Sequence, residues 1–361
     1  MNRVYNFNPG PATLPLPVLE QAQQELLDYQ GTGMSLLETS HRSKAYEALN
    51  REAEVRVKRL LGVGDDYRAL FLQGGASLQF AMVPMNFLSA GATADYLITG
   101  SWAEKASEEA QRIGQVHLAA TTKDEQYRRI PAPDEIRLSD APSYVHLTSN
   151  NTIYGTQWPV FPRFGEVPLV ADMSSDILSR PFDANQFALL YAGAQKNIGP
   201  AGVTLVVIRQ SWMDQAPKTL PAILRYATHA KNDSLYHTPP VFAVYLVNLV
   251  LKDIEERGGL AAAAERNQQK AQAVYGAIDR SGGFYLPHAA ADSRSLMNIT
   301  FRLPSEDLEK RFIGEATSAG MVGLKGHRSV GGVRASLYNA MSQEGCNALA
   351  AFMDDFARRA G

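Results

Sequence analysis

Short apolar runs alternate with amphipathic stretches along most of this chain. Apolar runs that are bounded by polar or turn-forming residues predict strands. Strands that alternate with helices favour a largely parallel sheet with helices packed on its faces. We therefore predict one sheet of an α/β fold, with strands at residues 69–72, 96–99, 144–148, 169–172, 189–192 and 203–208.

Apolar residues at helical spacing predict the helices that accompany this sheet. Residues 43–61, for example, place Tyr46, Leu49, Ala53 and Val57 along one face. The apolar run after a proline pair indicates a long buried helix, which a pair of glycines ends. The predicted helices in this part of the chain are residues 16–30, 43–61, 241–256 and 260–279.

The pattern changes after residue 279, where shorter elements follow one another. Strands are predicted at residues 295–301 and 333–338, and helices at residues 306–319 and 343–359. A chain of 361 residues exceeds the size at which single cores usually divide. We predict a large domain over residues 16–258 and a smaller α+β domain over residues 259–361, with residues 1–15 packing on the smaller one.

Composition excludes several classes of protein. A net charge of -2 gives no general attraction to nucleic acid or acidic membranes. The one cysteine, Cys346, excludes an internal disulfide framework and a thiolate metal cluster, and we expect no metal. Residues 1–17 lack the apolar core of a signal peptide, and no window approaches eighteen consecutive apolar residues. We expect a cytoplasmic protein without nucleic-acid or membrane partners.

An isolated lysine is the first candidate for chemistry. Lys196 lies among glycines and small residues between two apolar runs, 24 positions after Asp172. Burying an unpaired ammonium is costly, so an amine at a strand end suggests a bond to a carbonyl cofactor. Pyridoxal phosphate fits, because a buried acid such as Asp172 keeps its ring nitrogen protonated. Each residue alone also fits a plainer reading, a surface lysine in a turn and an acid that caps a helix.

A glycine-rich turn, Gln73-Gly74-Gly75-Ala76-Ser77, follows a predicted strand and precedes an apolar helix. Small residues there let backbone N–H groups face a phosphate, with the Ser77 hydroxyl as a further donor. The turn lacks the lysine of a Walker loop and the spacing of a dinucleotide fingerprint, so a single phosphate group fits better. An ordinary tight turn explains the pattern equally well. His237 and Thr238 add phosphate donors or simply form a turn before two prolines.

Two further side chains follow predicted strand ends, where ligands gather in open α/β sheets. Trp102 offers a flat apolar face for a pyridine ring, or it is an ordinary core tryptophan. Thr152 offers a hydroxyl to the cofactor's phenolic oxygen, or it belongs to a turn. Neither residue identifies a ligand without Lys196 and Asp172.

Cationic residues cluster in two loops. His41 and Arg42 lie in one loop, and His327 and Arg328 lie in a second loop that leads into a strand with Arg334. Arginine grips carboxylate or phosphate with two parallel hydrogen bonds and stays charged. Surface arginines usually form a solvated face, but the glycines around Arg328 and the apolar strand at Arg334 favour positions that line a site.

These segments together resemble the class V aminotransferases of the fold-type I pyridoxal-phosphate enzymes, and within that group the members that act on phosphoserine. The resemblance runs nearly end to end. It rests on the segments NPGPA (8–12), SHRS (40–43), QGGAS (73–77), AGAQKNIGPAG (192–202), TPP (238–240), KGHR (325–328) and RASLYNA (334–340). It implies a large domain with a mostly parallel seven-stranded sheet, a smaller C-terminal domain and a homodimer with the active site at its interface.

The resemblance also implies a role for each candidate residue. Lys196 forms the Schiff base, Asp172 pairs with the pyridine nitrogen, Trp102 stacks on the ring and Thr152 bonds the ring's hydroxyl oxygen. The phosphate is held by Ala76, Ser77 and Gln195, together with His237 and Thr238 from the partner subunit. His237 stands where other members often carry asparagine, and both residue types donate to phosphate. Arg334 clamps the substrate α-carboxylate, and the second anionic group is received by His41, Arg42, His327 and Arg328.

The implied reaction is the reversible transfer of an amino group between L-glutamate and 3-phosphooxypyruvate, which gives 2-oxoglutarate and O-phospho-L-serine. Some members also accept 4-phosphooxy-L-threonine. The alternatives are transamination of a different small acid and, in another class, a non-catalytic phosphate-binding module. A sulfur-removing enzyme of this fold needs a cysteine on a mobile loop, whereas Cys346 lies in a predicted helix. An NAD-dependent dehydrogenase needs a GxGxxG turn, which does not appear.

Overall fold

The computed structural model describes residues 3–361. Its central element is a seven-stranded sheet with the strand order β2-β10-β9-β8-β5-β3-β4, and β10 alone runs antiparallel to its neighbours. All six predicted strands belong to this sheet. The strands are β1 Tyr5–Asn6, β2 Tyr67–Leu72, β3 Thr93–Ile98, β4 Gln115–Thr121, β5 Val145–Thr148, β6 Asn150–Asn151, β7 Thr156–Gln157, β8 Leu169–Asp172, β9 Phe187–Gly193, β10 Thr204–Arg209, β11 Leu286–Pro287, β12 Asn298–Arg302, β13 Met321–Val322 and β14 Val333–Ser336.

The middle strands of the sheet are buried on both faces. Every residue of β8 and β9 is buried, as expected for parallel strands that are covered by helices on either side. The edge strand β4 has no counterpart among the predicted strands. It is partly exposed, and Leu118 keeps 52% of its accessible surface, so its sequence lacks a continuous apolar run. The predicted fold class is confirmed, and one edge strand was missed.

Ten α-helices accompany the strands in the described residues: α1 Leu16–Gln24, α2 Lys44–Leu61, α3 Gly75–Phe87, α4 Ser101–Gln111, α5 Gln210–Met213, α6 Tyr226–Lys231, α7 Val241–Glu256, α8 Gly259–Arg280, α9 Glu306–Ser318 and α10 Gln343–Ala360. Helix α2 begins where the Ser43 hydroxyl accepts a hydrogen bond from the Tyr46 amide at 3.2 Å. It ends at Gly62, whose φ of 65° lies in the left-handed region. The predicted apolar stripe from Tyr46 to Val57 is its buried face.

Helix α1 is shorter than predicted, because it ends at Gln24 rather than at residue 30. The chain turns after α1 and forms a short 3-10 turn at Tyr29–Gly31. Tyr29 thereby packs edge-on against Tyr245 of α7, with ring centroids 5.7 Å apart. A tertiary aromatic contact therefore overrides the helical pattern of this segment, and Leu27 is left 84% exposed.

A separate apolar cluster lies in the last third of the chain. It combines strands β12 and β14 with helices α8, α9 and α10, and it also contains Phe7. Strand β11 completes the antiparallel sheet of β12 and β14. Strand β1 pairs in parallel with β13. The division into residues 16–258 and 259–361 remains a prediction. Among the described residues, no helix combines the length and the apolar character that crossing a membrane requires.

Candidate active site

A cavity of about 440 Å³ opens at the carboxyl ends of the parallel strands. Residues that follow β3 and β5 line it together with residues of the connection between β9 and β10. The last third of the chain closes it with residues from the segment 327–334. The lining residues are Pro9, Gly10, Pro11, Gly75, Trp102, Thr152, Gln195, Lys196, Ala201, Gly202, Val203, His327 and Arg334. Six of the residues predicted for the site are among them.

Lys196 lies in the connection between the antiparallel neighbours β9 and β10. The Ala194 amide donates to the Val203 carbonyl at 2.9 Å and closes this connection. A Cβ on Gly10 would lie 3.4 Å from the Cγ of Lys196, so the N-terminal segment packs directly against the lysine stem. Burial lowers the pKa of the Lys196 amine, and the nearby Asp172 opposes this shift. The amine therefore carries its proton less firmly than a lysine in water.

Asp172 is the last residue of β8 and is 4% exposed. Its Oδ1 accepts a hydrogen bond from the Ser174 amide at 2.9 Å. Burial raises the pKa of the Asp172 carboxyl, and the charge of Lys196 acts in the opposite direction. A carboxyl in this state readily shares a proton with a base that enters the cavity.

Three of the predicted residues are joined by hydrogen bonds. The Trp102 indole Nε1 donates to the Thr152 hydroxyl at 3.2 Å, and Arg334 Nη1 donates to the Thr152 carbonyl at 3.1 Å. The Lys196 Nζ lies 5.7 Å from the centroid of the Trp102 ring. Arg334 is 7% exposed, and its buried Nε has no partner within residues 3–361. Since buried donors are normally satisfied, this guanidinium is suited to an anionic ligand.

The glycine-rich turn forms the start of helix α3. Gly75 lines the cavity, and Ala76 and Ser77 follow it in the first turn of the helix. Amides in the first turn have no acceptor inside the helix and carry the positive end of its dipole. Gly74 has a φ of 88°, and a Cβ there would meet the Leu78 side chain at 2.6 Å. This conformation turns the strand β2 sharply into the helix.

His327 brings the second cationic loop to the cavity, and Arg328 follows it as an exposed residue. Burial lowers the pKa of the His327 imidazole, and the charges of Arg334, Arg328 and Lys105 lower it further. Lys105 was not predicted. Its Nζ lies 4.6 Å from the centroid of the Trp102 ring, and its position three residues after Trp102 on a helix was the available signal. The surroundings of Trp102 and His327 are therefore more cationic than the sequence indicated.

Other predicted residues do not line this cavity within the described chain. Arg42 and Thr238 are exposed, and His41 and His237 are partly buried. The His237 ring packs edge-on to that of His229, with centroids 6.1 Å apart. The proposed ligand roles of these four residues remain predictions. Conversely, Pro9, Gly10 and Pro11 line the cavity although the sequence identified them only as a motif.

The family model "Aminotransferase class-V" matches residues 4–349. A phosphoserine aminotransferase of Herpetosiphon aurantiacus is 64% identical over 358 residues, which cover 99% of each chain. A protein of the same name from Bacillus subtilis is 53% identical over 99% of each chain.

Solved structures agree with these matches. The phosphoserine aminotransferase of Bacillus circulans subsp. alkalophilus superposes with a TM-score of 0.98 at 58% identity, covering 99% of each chain. The phosphoserine aminotransferase of Trichomonas vaginalis, described as bound to PLP, gives a TM-score of 0.92 at 38% identity, covering 97% of this chain and 99% of that one. An alanine–glyoxylate aminotransferase of Nostoc, with a TM-score of 0.79 and 16% identity over 99% of this chain and 96% of that one, shares the fold.

Proposed function

The chain belongs to the class-V aminotransferase family and has the activity of a phosphoserine aminotransferase with pyridoxal phosphate as cofactor, and we propose that Lys196 performs its chemistry. The observation that carries this proposal is the position of the Lys196 amine. It lies in the cavity wall with a lowered pKa, 5.7 Å from the centroid of an aromatic ring and within the field of the buried Asp172.

The groups around the cavity suit pyridoxal phosphate part by part. The Lys196 amine suits the aldehyde, and the raised pKa of the Asp172 carboxyl suits a proton shared with the ring nitrogen. The Trp102 indole suits one ring face, and the Thr152 hydroxyl suits the phenolic oxygen. The start of α3 with Ala76 and Ser77, together with Gln195, suits the phosphate. When bound, the cofactor supplies an aldehyde for the amino group and an electron-withdrawing ring.

Lys196 then acts as base and acid at the substrate Cα. An amine whose pKa is lowered is neutral in a larger fraction of molecules near pH 7, and only the neutral form accepts a proton. Arg334 fixes the α-carboxylate, because its rigid strand and its bond to the Thr152 carbonyl give the guanidinium a set direction. The Cα–H bond is thereby held toward the lysine, and orientation of this kind lowers a barrier without new chemistry.

A second anionic group distinguishes the substrates. Glutamate carries a γ-carboxylate and phosphoserine a phosphate, and we assign both to His41, Arg42, His327 and Arg328. Several cationic or imidazole groups accommodate either anion better than one fixed partner. The lowered pKa of His327 favours a neutral imidazole when no substrate is bound. A bound anion raises the pKa of an imidazole, so His327 can gain a proton when the substrate binds.

We also propose a homodimer in which His237 and Thr238 reach the phosphate of the partner's site. In support, the segments around these residues and around Arg42 expose large apolar side chains. Leu27 is 84% exposed, Leu37 63% and Tyr236 44%. Large apolar side chains exposed in one subunit are candidates for burial at such an interface. The buried free thiol of Cys346 further suits a reducing compartment such as the cytoplasm, which cell fractionation would test.

The proposal is tested with Lys196→Ala against the exposed control Lys310→Ala, whose side chain is 74% exposed on α9. Purified wild-type protein should be yellow and should convert O-phospho-L-serine with 2-oxoglutarate. Lys196→Ala should lose both the visible absorbance of the lysine-bound cofactor and turnover, whereas the control keeps both. The same assay with 4-phosphooxy-L-threonine and serine defines the substrate range. Turnover by Lys196→Ala at the wild-type rate would contradict the assignment.

A further inference from the structure

A lysine in the last third of the chain is buried without a carboxylate beside it. Lys270 lies in the middle of α8 and is 2% exposed. Its Nζ donates to the carbonyl oxygens of Leu337 and Tyr338, both at 2.8 Å. Within residues 3–361 it forms no ion pair, and burial lowers its pKa to about 7. A cation is costly in such a place, and the hydrogen bonds to the two main-chain carbonyls offset that cost.

The carbonyls that Lys270 holds belong to the turn directly after strand β14, which carries Arg334. The Tyr338 hydroxyl of this turn donates to the Pro9 carbonyl at 2.8 Å. Pro9 precedes Gly10, which packs against the stem of Lys196. The turn therefore helps to hold the Pro9–Gly10 segment against the side chain of Lys196.

The same turn also reaches the residue that follows Lys196. The Asn339 amide donates to Oδ1 of Asn197 at 2.8 Å, and Nδ2 of Asn339 donates to the Leu178 carbonyl at 2.9 Å. Asn267, one helical turn before Lys270, donates to Oδ1 of Asn339 at 2.8 Å. Helix α8 thus grips the turn with two side chains on one face.

Arg334 is held by main-chain hydrogen bonds of its own strand. Its amide donates to the Leu324 carbonyl at 2.8 Å, and it pairs with Thr300 in the ladder between β12 and β14. These bonds do not involve Lys270. Loss of the Lys270 contacts would therefore loosen the main chain around Lys196 more than it moves the guanidinium.

We propose that Lys270 is a positioning residue for the transamination. It fixes the turn at residues 337–339, and through Asn197 and Pro9 the turn fixes where the Lys196 amine stands relative to Arg334. This inference rests on the proposed role of Lys196. A displacement of about 1 Å between reacting groups costs on the order of a hundredfold in rate.

The test is Lys270→Met, which keeps a straight side chain and removes every donor. Its matched control is Gln269→Met, on the adjacent exposed position. We expect kcat per cofactor-loaded site to fall about tenfold or more in Lys270→Met, while KM for O-phospho-L-serine stays within about twofold, since Arg334 is unmoved. Lys270→Arg, which restores a cation with several donors, should recover most of kcat.

A second readout uses the protein without cofactor. Hydrogen exchange at the Asn339 amide should be faster in Lys270→Met than in Gln269→Met. If Lys270→Met does not fold, Lys270→Gln, which keeps an amide donor, replaces it and should show a smaller fall in kcat. An unchanged kcat with only a lower Tm, or no recovery in Lys270→Arg, would overturn the inference. The assignment of Lys196 fails separately, only if Lys196→Ala turns over.

Discussion

Substitution of Arg334 by glutamine should separate recognition of the α-carboxylate from recognition of the phosphate. Glutamine keeps part of the side-chain volume but carries no charge, and its amide is too short to replace the Nη1 that donates to the Thr152 carbonyl. Arg334 is 7% exposed and has a buried Nε without a partner in the described chain, so water screens it poorly. The loss therefore belongs to the range of buried charge pairs, on the order of 2–5 kcal/mol, rather than to the range below about 1 kcal/mol of surface pairs.

That range corresponds to a loss of about 30-fold to about 5,000-fold in affinity. The assay compares the dissociation constants of O-phospho-L-serine and O-phosphoethanolamine, which lacks the α-carboxylate. In the wild type we expect phosphoserine to bind more tightly by a factor in this range. In Arg334→Gln this preference should disappear, because phosphoserine binding weakens and phosphoethanolamine binding changes little.

A matched control is Arg280→Gln, whose side chain is 62% exposed in an ion pair with Asp354. It should leave both dissociation constants unchanged. If Arg334→Gln weakened both ligands equally, Arg334 would act on the phosphate or on the fold, and the carboxylate assignment would be refuted.

Activity should return when subunits with Lys196→Ala are mixed with subunits that carry both His237→Leu and Thr238→Ala. A mixed dimer with shared sites has one intact site, so activity should recover toward about a quarter of wild type. No gain over the separate parents would exclude sharing. His146 is buried in β5, and burial lowers its pKa to about 3, so the unfolded chain alone takes up this proton as pH falls from 6.5 towards 3. As pH falls through this window, the free energy of unfolding of the wild type should therefore decrease by about 1.4 kcal/mol per pH unit more than that of His146→Leu. Urea titration measures both, with His117→Leu as control. Equal slopes for the wild type and His146→Leu would contradict the prediction.

The central sheet was predictable because its strands are continuous apolar runs. Strand β8 has the predicted bounds, and helix α7 agrees at both ends. Strand β4 was missed because an edge strand needs only partial burial, which leaves little pattern in the sequence. The end of α1 was missed because the contact between Tyr29 and Tyr245 joins residues that are far apart in the chain.

The site also contains residues that the sequence reveals and residues that it does not. Lys196 and Asp172 were identifiable because a charged residue at the end of a buried strand is unusual. Lys270 sits at a regular position in a helix whose composition suggested only a connector, so nothing local marked it. Its partners are main-chain carbonyls 67 and 68 residues away, and carbonyls carry no sequence signal.

The connection between β9 and β10 has a consequence for how this chain tolerates change. Within the seven-stranded sheet, β10 is the one strand that runs against its neighbours, so the lysine-bearing segment joins two adjacent strands and both its ends are held by the same ladder. Parallel neighbours are joined by crossovers that absorb extra residues at the surface, whereas this segment has no such slack. Insertions and deletions between residues 194 and 203 should therefore be selected against more strongly than those elsewhere in the sheet. Length variation among descendants of this gene should lie outside this segment.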